Sequence, residues 1–125
     1  MKKTFNINTG VNQKKPGSTA SYSILLTGGD QAGQVLKAVK LMDGEGVCRN
    51  MRGPVSSLLI KNACCQRAFL RGAFLASGSM SDPEKSYHLE LVCTGLPQAE
   101  QIRLILQGFG VEARIVQRKK YQIVY

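Results

Sequence analysis

The chain has no tryptophan, a single histidine and only eight acidic residues among its 125. No serine or carboxylate motif accompanies His88, so the sequence offers no acid–base catalytic set. The four cysteines include no CxxC pair, which argues against a zinc site and is typical of thiols in a reducing compartment. No apolar run approaches the roughly 20 residues of a membrane span. We therefore expect a cytoplasmic protein with no metal, no other cofactor and no membrane partner.

Lysine and arginine are abundant by contrast, and their seventeen residues give the chain a formal net charge of +9 at pH 7. The excess is concentrated in four short clusters, which are Lys2–Lys3, Lys14–Lys15, Arg49 with Arg52, and residues 114–120. A polyanion is the natural partner of such a distribution, and nucleic acid is the first candidate. Charge alone does not separate that partner from a merely solvated surface.

The first part of the chain predicts a hairpin followed by a helix. Side chains alternate over residues 3–8, residues 10–18 are polar with glycine and proline, and residues 21–26 are again strand-like. Apolar residues at helical spacing follow Gly28–Gly29. The glycine pair lacks the spacing of a phosphate-binding loop, so it is interpreted as a helix start.

The second part of the chain shows a related order. Residues 97–109 predict a helix with one apolar face, and residues 112–125 predict a hairpin that turns at 118–120. A further strand is expected within residues 87–92, and residues 55–61 predict a short helix. Residues 43–54 hold three glycines and a proline without an apolar period, which favours a connector.

Between the connector and these elements lies a helix with a stripe of small residues. Ala68, Gly72 and Ala76 are spaced four apart, so they share one face of an α-helix. A second backbone could approach that face closely, and we expect the three residues to form a helix interface. An ordinary buried helix rich in small residues is the alternative interpretation.

The segment LRGAFLASG, residues 70–78, resembles the signature helix of LAGLIDADG homing endonucleases. Immediately before its final glycine, where nucleases of that family carry a metal-binding carboxylate, this chain has Ser77. A hydroxyl does not supply the charge that holds a divalent cation at a phosphodiester. The resemblance therefore implies a lost catalytic position at Ser77 and no nuclease activity.

The longer run CCQRAFLRGAFLASGSMSDPEKSYHLELVC, residues 64–93, is similar to the WhiA family of sporulation and cell-division transcription regulators. That resemblance implies an α+β fold of the αββαββ LAGLIDADG type with antiparallel sheets, double-stranded DNA as partner and a place at the nucleoid. It also implies that residues 1–42 are the second half of a first repeat, 43–54 a connector and 55–125 most of a second repeat. The family's helix-turn-helix has no counterpart here.

Alternation along the last hairpin indicates which basic residues could reach DNA. Ala113 and Ile115 suit a core, so Arg114 and Arg118 are expected on the opposite, outward face. A basic two-stranded ribbon fits the major groove and can reach phosphates. The candidate DNA-contacting residues are Lys14, Lys15, Arg114, Arg118, Lys119 and Lys120.

Three alternatives to a DNA-binding domain remain open at this point. The basic residues could be charges that protect a sheet edge from aggregation. The chain could be an interaction or oligomerisation module that contacts a sigma factor or another regulator. It could also be an active homing endonuclease, against which Ser77 argues, or the decayed remnant of one. Because a terminal strand would leave an unpaired edge and an apolar sheet face, we also expect the chain to self-associate.

Overall fold

The computed structural model describes residues 7, 9–14, 17, 20–49, 53–82 and 84–125. Two compact units divide the chain, residues 1–49 and residues 50–125, and they are called unit 1 and unit 2 below. The finer division into residues 1–42, 43–54 and 55–125 as parts of two repeats stays a prediction. In the described residues, no helix combines the length and the apolar character needed to cross a membrane.

Unit 1 contains an antiparallel hairpin and one helix. Its elements are β1 (Gly10–Lys14), β2 (Ser21–Leu25) and α1 (Gly29–Ala38). The helix predicted after Gly28 is confirmed: Gly28 precedes it at φ 123, a conformation that favours glycine, and Val35 is its buried residue.

The loop predicted over residues 10–18 is wrong in its first part, whereas the strand predicted over residues 3–8 stays a prediction. The structure places β1 in residues 10–14, inside the expected loop, whereas residues 3–6 and 8 lie outside the described part of the chain. In the observed register Val11 lies opposite Ile24 and Lys14 opposite Ser21. One of the five pairs in this register, Val11 with Ile24, is β-branched on both strands, and such a pair stabilises the hairpin although β1 is otherwise polar.

Unit 2 follows the order αββαββ. Its elements are α2 (Ala63–Ser77), β3 (Gly78–Met80), β4 (Leu89–Cys93), α3 (Leu96–Gly108), β5 (Ile115–Arg118) and β6 (Tyr121–Val124). The strands form one sheet in the order β3-β4-β6-β5, and every neighbouring pair is antiparallel. The α+β class with antiparallel strands, expected from the resemblance, is thereby confirmed.

The short helix predicted over residues 55–61 is wrong, because the structure has turns there. The backbone N–H of Leu59 donates to the Ser56 carbonyl at 3.0 Å, a turn bond that does not continue into a helix. The side chain of Gln101 in α3 instead bonds both backbone groups of Val55, at 2.8 Å and 2.7 Å. A segment this short cannot repay helix nucleation, so the long-range contact determines its conformation.

One face of the unit 2 sheet forms the core against both helices. Its buried cluster comprises Leu91, Cys93 and Val124 from the sheet, Ala99 and Ile102 from α3, and Ala113. Phe69, Leu70, Ala73 and Phe74 of α2 pack against this cluster. Because side chains alternate along each strand, the residues between these core positions project from the opposite face of the sheet.

Candidate nucleic-acid interface

The face of the unit 2 sheet opposite the helices carries two of the six predicted DNA-contacting residues. We call it the open face and define it by Glu90, Val92, Arg114, Val116, Arg118, Tyr121, Ile123 and Tyr125. Alternation with buried Ala113 and half-buried Ile115 places Arg114 and Arg118 on it, as the sequence predicts. The backbone of Arg114 exchanges two hydrogen bonds with Tyr125, at 2.8 Å and 3.0 Å, so Arg114 extends the sheet beyond β5.

The hairpin tip adds two further cations beside this face. Arg118 pairs with Tyr121, so Lys119 and Lys120 form a two-residue turn between β5 and β6. Lys119 adopts a left-handed conformation at φ 57, and the Lys120 Nζ lies 5.3 Å from the centre of the Tyr121 ring. Both lysines are exposed. Four of the six predicted residues are thus brought together on one face and one tip.

The other two predicted cations belong to unit 1. Lys14 ends β1, is exposed, and accepts a hydrogen bond on its backbone oxygen from the Ser21 hydroxyl at 3.5 Å. Lys15 lies outside the described residues. A DNA contact by either residue stays a prediction.

The open face also holds an ion-pair cluster around Glu90 that the sequence did not suggest. The His88 Nε2 lies 3.0 Å from Glu90 Oε1, and Arg118 Nη2 donates to the same oxygen at 3.2 Å. Arg118 Nη1 donates to the second carboxylate oxygen at 3.4 Å. Hydrogen bonding to His88 first, and to Arg118 second, lowers the pKa of Glu90 below its usual value. Glu90 is therefore held as an anion beside the Arg118 guanidinium.

An apolar residue lies at the centre of the face. Ile123 is only 3% exposed, yet it does not belong to the core cluster beneath the helices. Val92 and Val116 lie on either side of it in the neighbouring strands. Because β6 lies between β4 and β5, the bond from Glu90 to Arg118 must cross the strand that carries Ile123. The ion pair thus spans an apolar centre.

The two residues that sequence reasoning missed share a recognisable spacing. His88 and Glu90 are two positions apart beside and within one strand, so their side chains project from the same face. That alternation indicates their proximity from sequence alone. The partner Arg118, 28 positions away from Glu90, gives no such signal.

The small-residue stripe of α2 is exposed. Ala68, Gly72 and Ala76 all lie on the surface, and a Cβ built on Gly72 meets no atom within 4 Å. Gly72 and Ala76 also line a cleft of about 350 Å³ together with Ile102 of α3. No described element of unit 2 packs across the stripe, so its role as a helix interface stays a prediction.

The end of the signature helix has a close contact instead of a charged group. The Ser77 hydroxyl donates to the Ala73 carbonyl at 3.3 Å, within the last turn of α2. A Cβ at Gly78 would lie 2.6 Å from the Phe74 carbonyl oxygen and 2.8 Å from Phe74 Cε2. Only glycine fits there without a shift of its neighbours. Among the described residues, no three His, Cys, Asp or Glu side chains are grouped to hold a metal ion.

Comparison with known proteins identifies the family of this arrangement. The family model of the WhiA LAGLIDADG-like domain matches residues 66–125, which extend from the first turn of α2 to the residue after β6. This segment belongs to the WhiA family. The WhiA-like segment contains the whole open face and the exposed stripe.

Similarity to WhiA proteins extends beyond that segment. A probable cell division protein WhiA of Lachnoclostridium phytofermentans is 39% identical over 127 residues, which cover 100% of this chain and 41% of that protein. One from Alkaliphilus oremlandii is 39% identical over 83% of this chain and 32% of that protein. The chain thus spans well under half the length of these relatives.

A solved structure supports the same fold. A crystal structure of the N-terminal LAGLIDADG domain of WhiA matches with a TM-score of 0.50 and 28% sequence identity. The match covers 53% of this chain and 36% of that one. The LAGLIDADG-like fold expected from the signature helix is confirmed by this match and by the family model.

Proposed function

We propose that the chain is a noncatalytic DNA-binding part of a transcription regulator that acts in cell division or sporulation. The observation that carries this proposal is the grouping of Arg114, Lys119 and Lys120 on one open sheet face and its hairpin tip. The relatives are named probable cell division proteins, which supports the cellular role. Double-stranded DNA is the proposed partner.

The β5–β6 hairpin has the form that such a contact requires. A two-stranded ribbon fits the major groove of duplex DNA, and its basic side chains can reach phosphates on either side. Arg114 and Arg118 are four residues apart along an extended chain, about 13 Å. Arg114 lies beyond the far end of β5 from the tip, so it and the tip lysines can engage different phosphates. Binding through these contacts depends on salt, because each cation that neutralises a phosphate releases counterions.

Absence of cleavage is the second part of the proposal. Ser77 stands where related nucleases hold a carboxylate, and its hydroxyl is bonded to Ala73 within the helix. A hydroxyl in that position gives Mg²⁺ no charged ligand. Supercoiled plasmid incubated with the chain and Mg²⁺ is expected to remain intact, and nicking above a protein-free control would overturn this part.

DNA contact is tested by the salt dependence of binding to a fluorescent 30-base-pair duplex of mixed sequence. The double variant Lys119→Gln/Lys120→Gln is expected to reduce the slope of log K against log salt by about 1.8, since each phosphate contact contributes about 0.9. The matched control is Lys61→Gln/Arg71→Gln, which removes two exposed charges before and within α2, on the other side of the sheet. Equal slopes in the two variants would refute contact by the tip.

A second candidate function is self-association, and exposed apolar residues of unit 1 favour it. Val11, Tyr22 and Ile24 are 65%, 69% and 63% exposed on the β1–β2 hairpin. Val11 lies opposite Ile24, and Tyr22 is two positions from Ile24 on the same strand, opposite Gln13. The three apolar side chains therefore share one face of the hairpin. We expect sedimentation velocity at micromolar concentration to show a dimer that Ile24→Asp weakens. A strictly monomeric wild type would exclude this candidate.

A further inference from the structure

Glu90 is the acidic residue of the open face, and its carboxylate is bound from two sides. Its side chain is 20% exposed, whereas the Arg118 side chain is 61% exposed. Each of the two terminal nitrogens of Arg118 faces a different oxygen of Glu90, at 3.4 Å and 3.2 Å. The carboxylate therefore uses both of its oxygens to hold one guanidinium in place, and the pair spans β6.

This geometry competes directly with DNA phosphate for Arg118. A phosphate would bind the guanidinium through the same two-point geometry that Glu90 now occupies. Moreover, a cation already paired with a carboxylate carries little net charge into the interface. It therefore releases few counterions from the DNA, and this release drives the part of DNA binding that does not depend on sequence.

We infer that Glu90 limits nonspecific DNA binding by withholding Arg118 from the phosphate backbone. This inference rests on the proposed function and assigns different tasks to residues of the same face. Arg114, Lys119 and Lys120 contact phosphates, whereas Arg118 stays paired with Glu90 and contributes little to the salt-dependent part of binding. Glu90 thus sets the strength of nonspecific binding, because its pairing with Arg118 removes one phosphate contact that any sequence would offer.

The test is the affinity of Glu90→Gln for the same 30-base-pair duplex of mixed sequence, measured with the full chain at pH 7.5. Freed from its partner, Arg118 adds one phosphate contact, so the slope of log K against log salt steepens by about 0.9. At 0.1 M salt the affinity is expected to rise by about fivefold to tenfold. The rise shrinks as salt increases, because the gain comes from counterion release.

Two controls separate this mechanism from a general change in charge. Glu100→Gln removes an equal charge from α3, where Glu100 pairs with Arg103. Because this exposed charge lies away from the proposed DNA contact, the affinity is expected to change by less than about twofold. Arg118→Gln alone should bind almost as the wild type does. The double variant Glu90→Gln/Arg118→Gln should also return to wild-type affinity and slope, because the released cation is absent.

The outcomes distinguish the inference from the function on which it rests. If the wild type binds DNA but Glu90→Gln and Glu100→Gln behave alike, or if the gain persists without Arg118, the inference is refuted and the DNA-binding proposal stands. If neither the wild type nor Glu90→Gln binds at 50 mM salt, the proposed function fails and the inference with it. Circular dichroism of each variant verifies that the fold is retained.

Discussion

Glycine-to-alanine substitutions at two positions of the signature helix are expected to have opposite effects on stability. At Gly78 the added Cβ would lie 2.6 Å from the Phe74 carbonyl oxygen and 2.8 Å from Cε2 of its ring. Neither group can move freely. The carbonyl accepts the Gly78 N–H at the end of α2, and the ring packs against the buried cluster of unit 2. Gly78→Ala therefore forces a shift in the last turn of the helix or in the core.

The size of the effect follows from comparable core substitutions. Overpacking by a methyl group in a well-packed site costs about 1–3 kcal/mol. For a unit of this size, about 2 kcal/mol corresponds to roughly 10 °C in the melting temperature. Gly72 is the matched control, since a Cβ there meets no atom within 4 Å. In the middle of a helix, Gly72→Ala is expected to stabilise by up to about 1 kcal/mol.

Urea unfolding followed by circular dichroism at 222 nm measures both substitutions under identical conditions. A Gly78→Ala midpoint equal to that of the wild type would refute the close contact. A loss of stability in Gly72→Ala would show that another helix covers the stripe in solution, as the small residues suggest. Repeating the Gly72 measurement over a tenfold range of protein concentration would then identify a second copy as the source of that helix.

Three further predictions concern single contacts. Gln101→Ala removes the two hydrogen bonds to the Val55 backbone and should lower the free energy of unfolding, measured in urea, by about 1–3 kcal/mol. Gln107→Ala, on the exposed side of α3, is the control and should change that free energy little. Lys119→Asn relieves a left-handed lysine and should raise the stability by up to about 1 kcal/mol while weakening DNA binding. The pKa of Glu90 is lower in the folded chain than its usual value of 4.5, so its bonds to His88 and Arg118 stabilise the fold above about pH 4.5. This contribution is lost as the pH falls through the lowered pKa. The difference in urea midpoint between the wild type and Glu90→Gln should therefore shrink between pH 7 and pH 3.

Local patterns in the sequence predict the elements of unit 2 well. The apolar period of residues 97–109 corresponds to α3, and the alternation around Ala113 and Ile115 correctly assigns Arg114 and Arg118 to one face. Both predictions depend on neighbouring residues alone. The fold class came from the signature helix, whose resemblance is specific enough to imply the αββαββ order that unit 2 shows.

The features that sequence reasoning missed depend on contacts between distant residues. Val55 and Gln101 are 46 positions apart, and their bonds replace the short helix expected over residues 55–61. The strand at Gly10–Lys14 was missed because its polar residues resemble a loop until Ile24 and Tyr22 lie opposite them. Glu90 and Arg118 are 28 positions apart and meet across β6, which lies between their strands in the sheet. No local pattern encodes these pairings.

Ion pairing also changes how the net charge of +9 bears on DNA binding. In the described part of unit 2, acidic partners lie within 4.0 Å of Lys85, Arg103 and Arg118. The unpaired cations on the open face and its tip are Arg114, Lys119 and Lys120, so this face should contribute a salt slope of about −2.7 to the binding of duplex DNA. A count of every lysine and arginine would predict a far steeper dependence. Glu90 accounts for about 0.9 of the difference between those values, the contact that Arg118 would otherwise add, and the remainder comes from cations elsewhere in the chain.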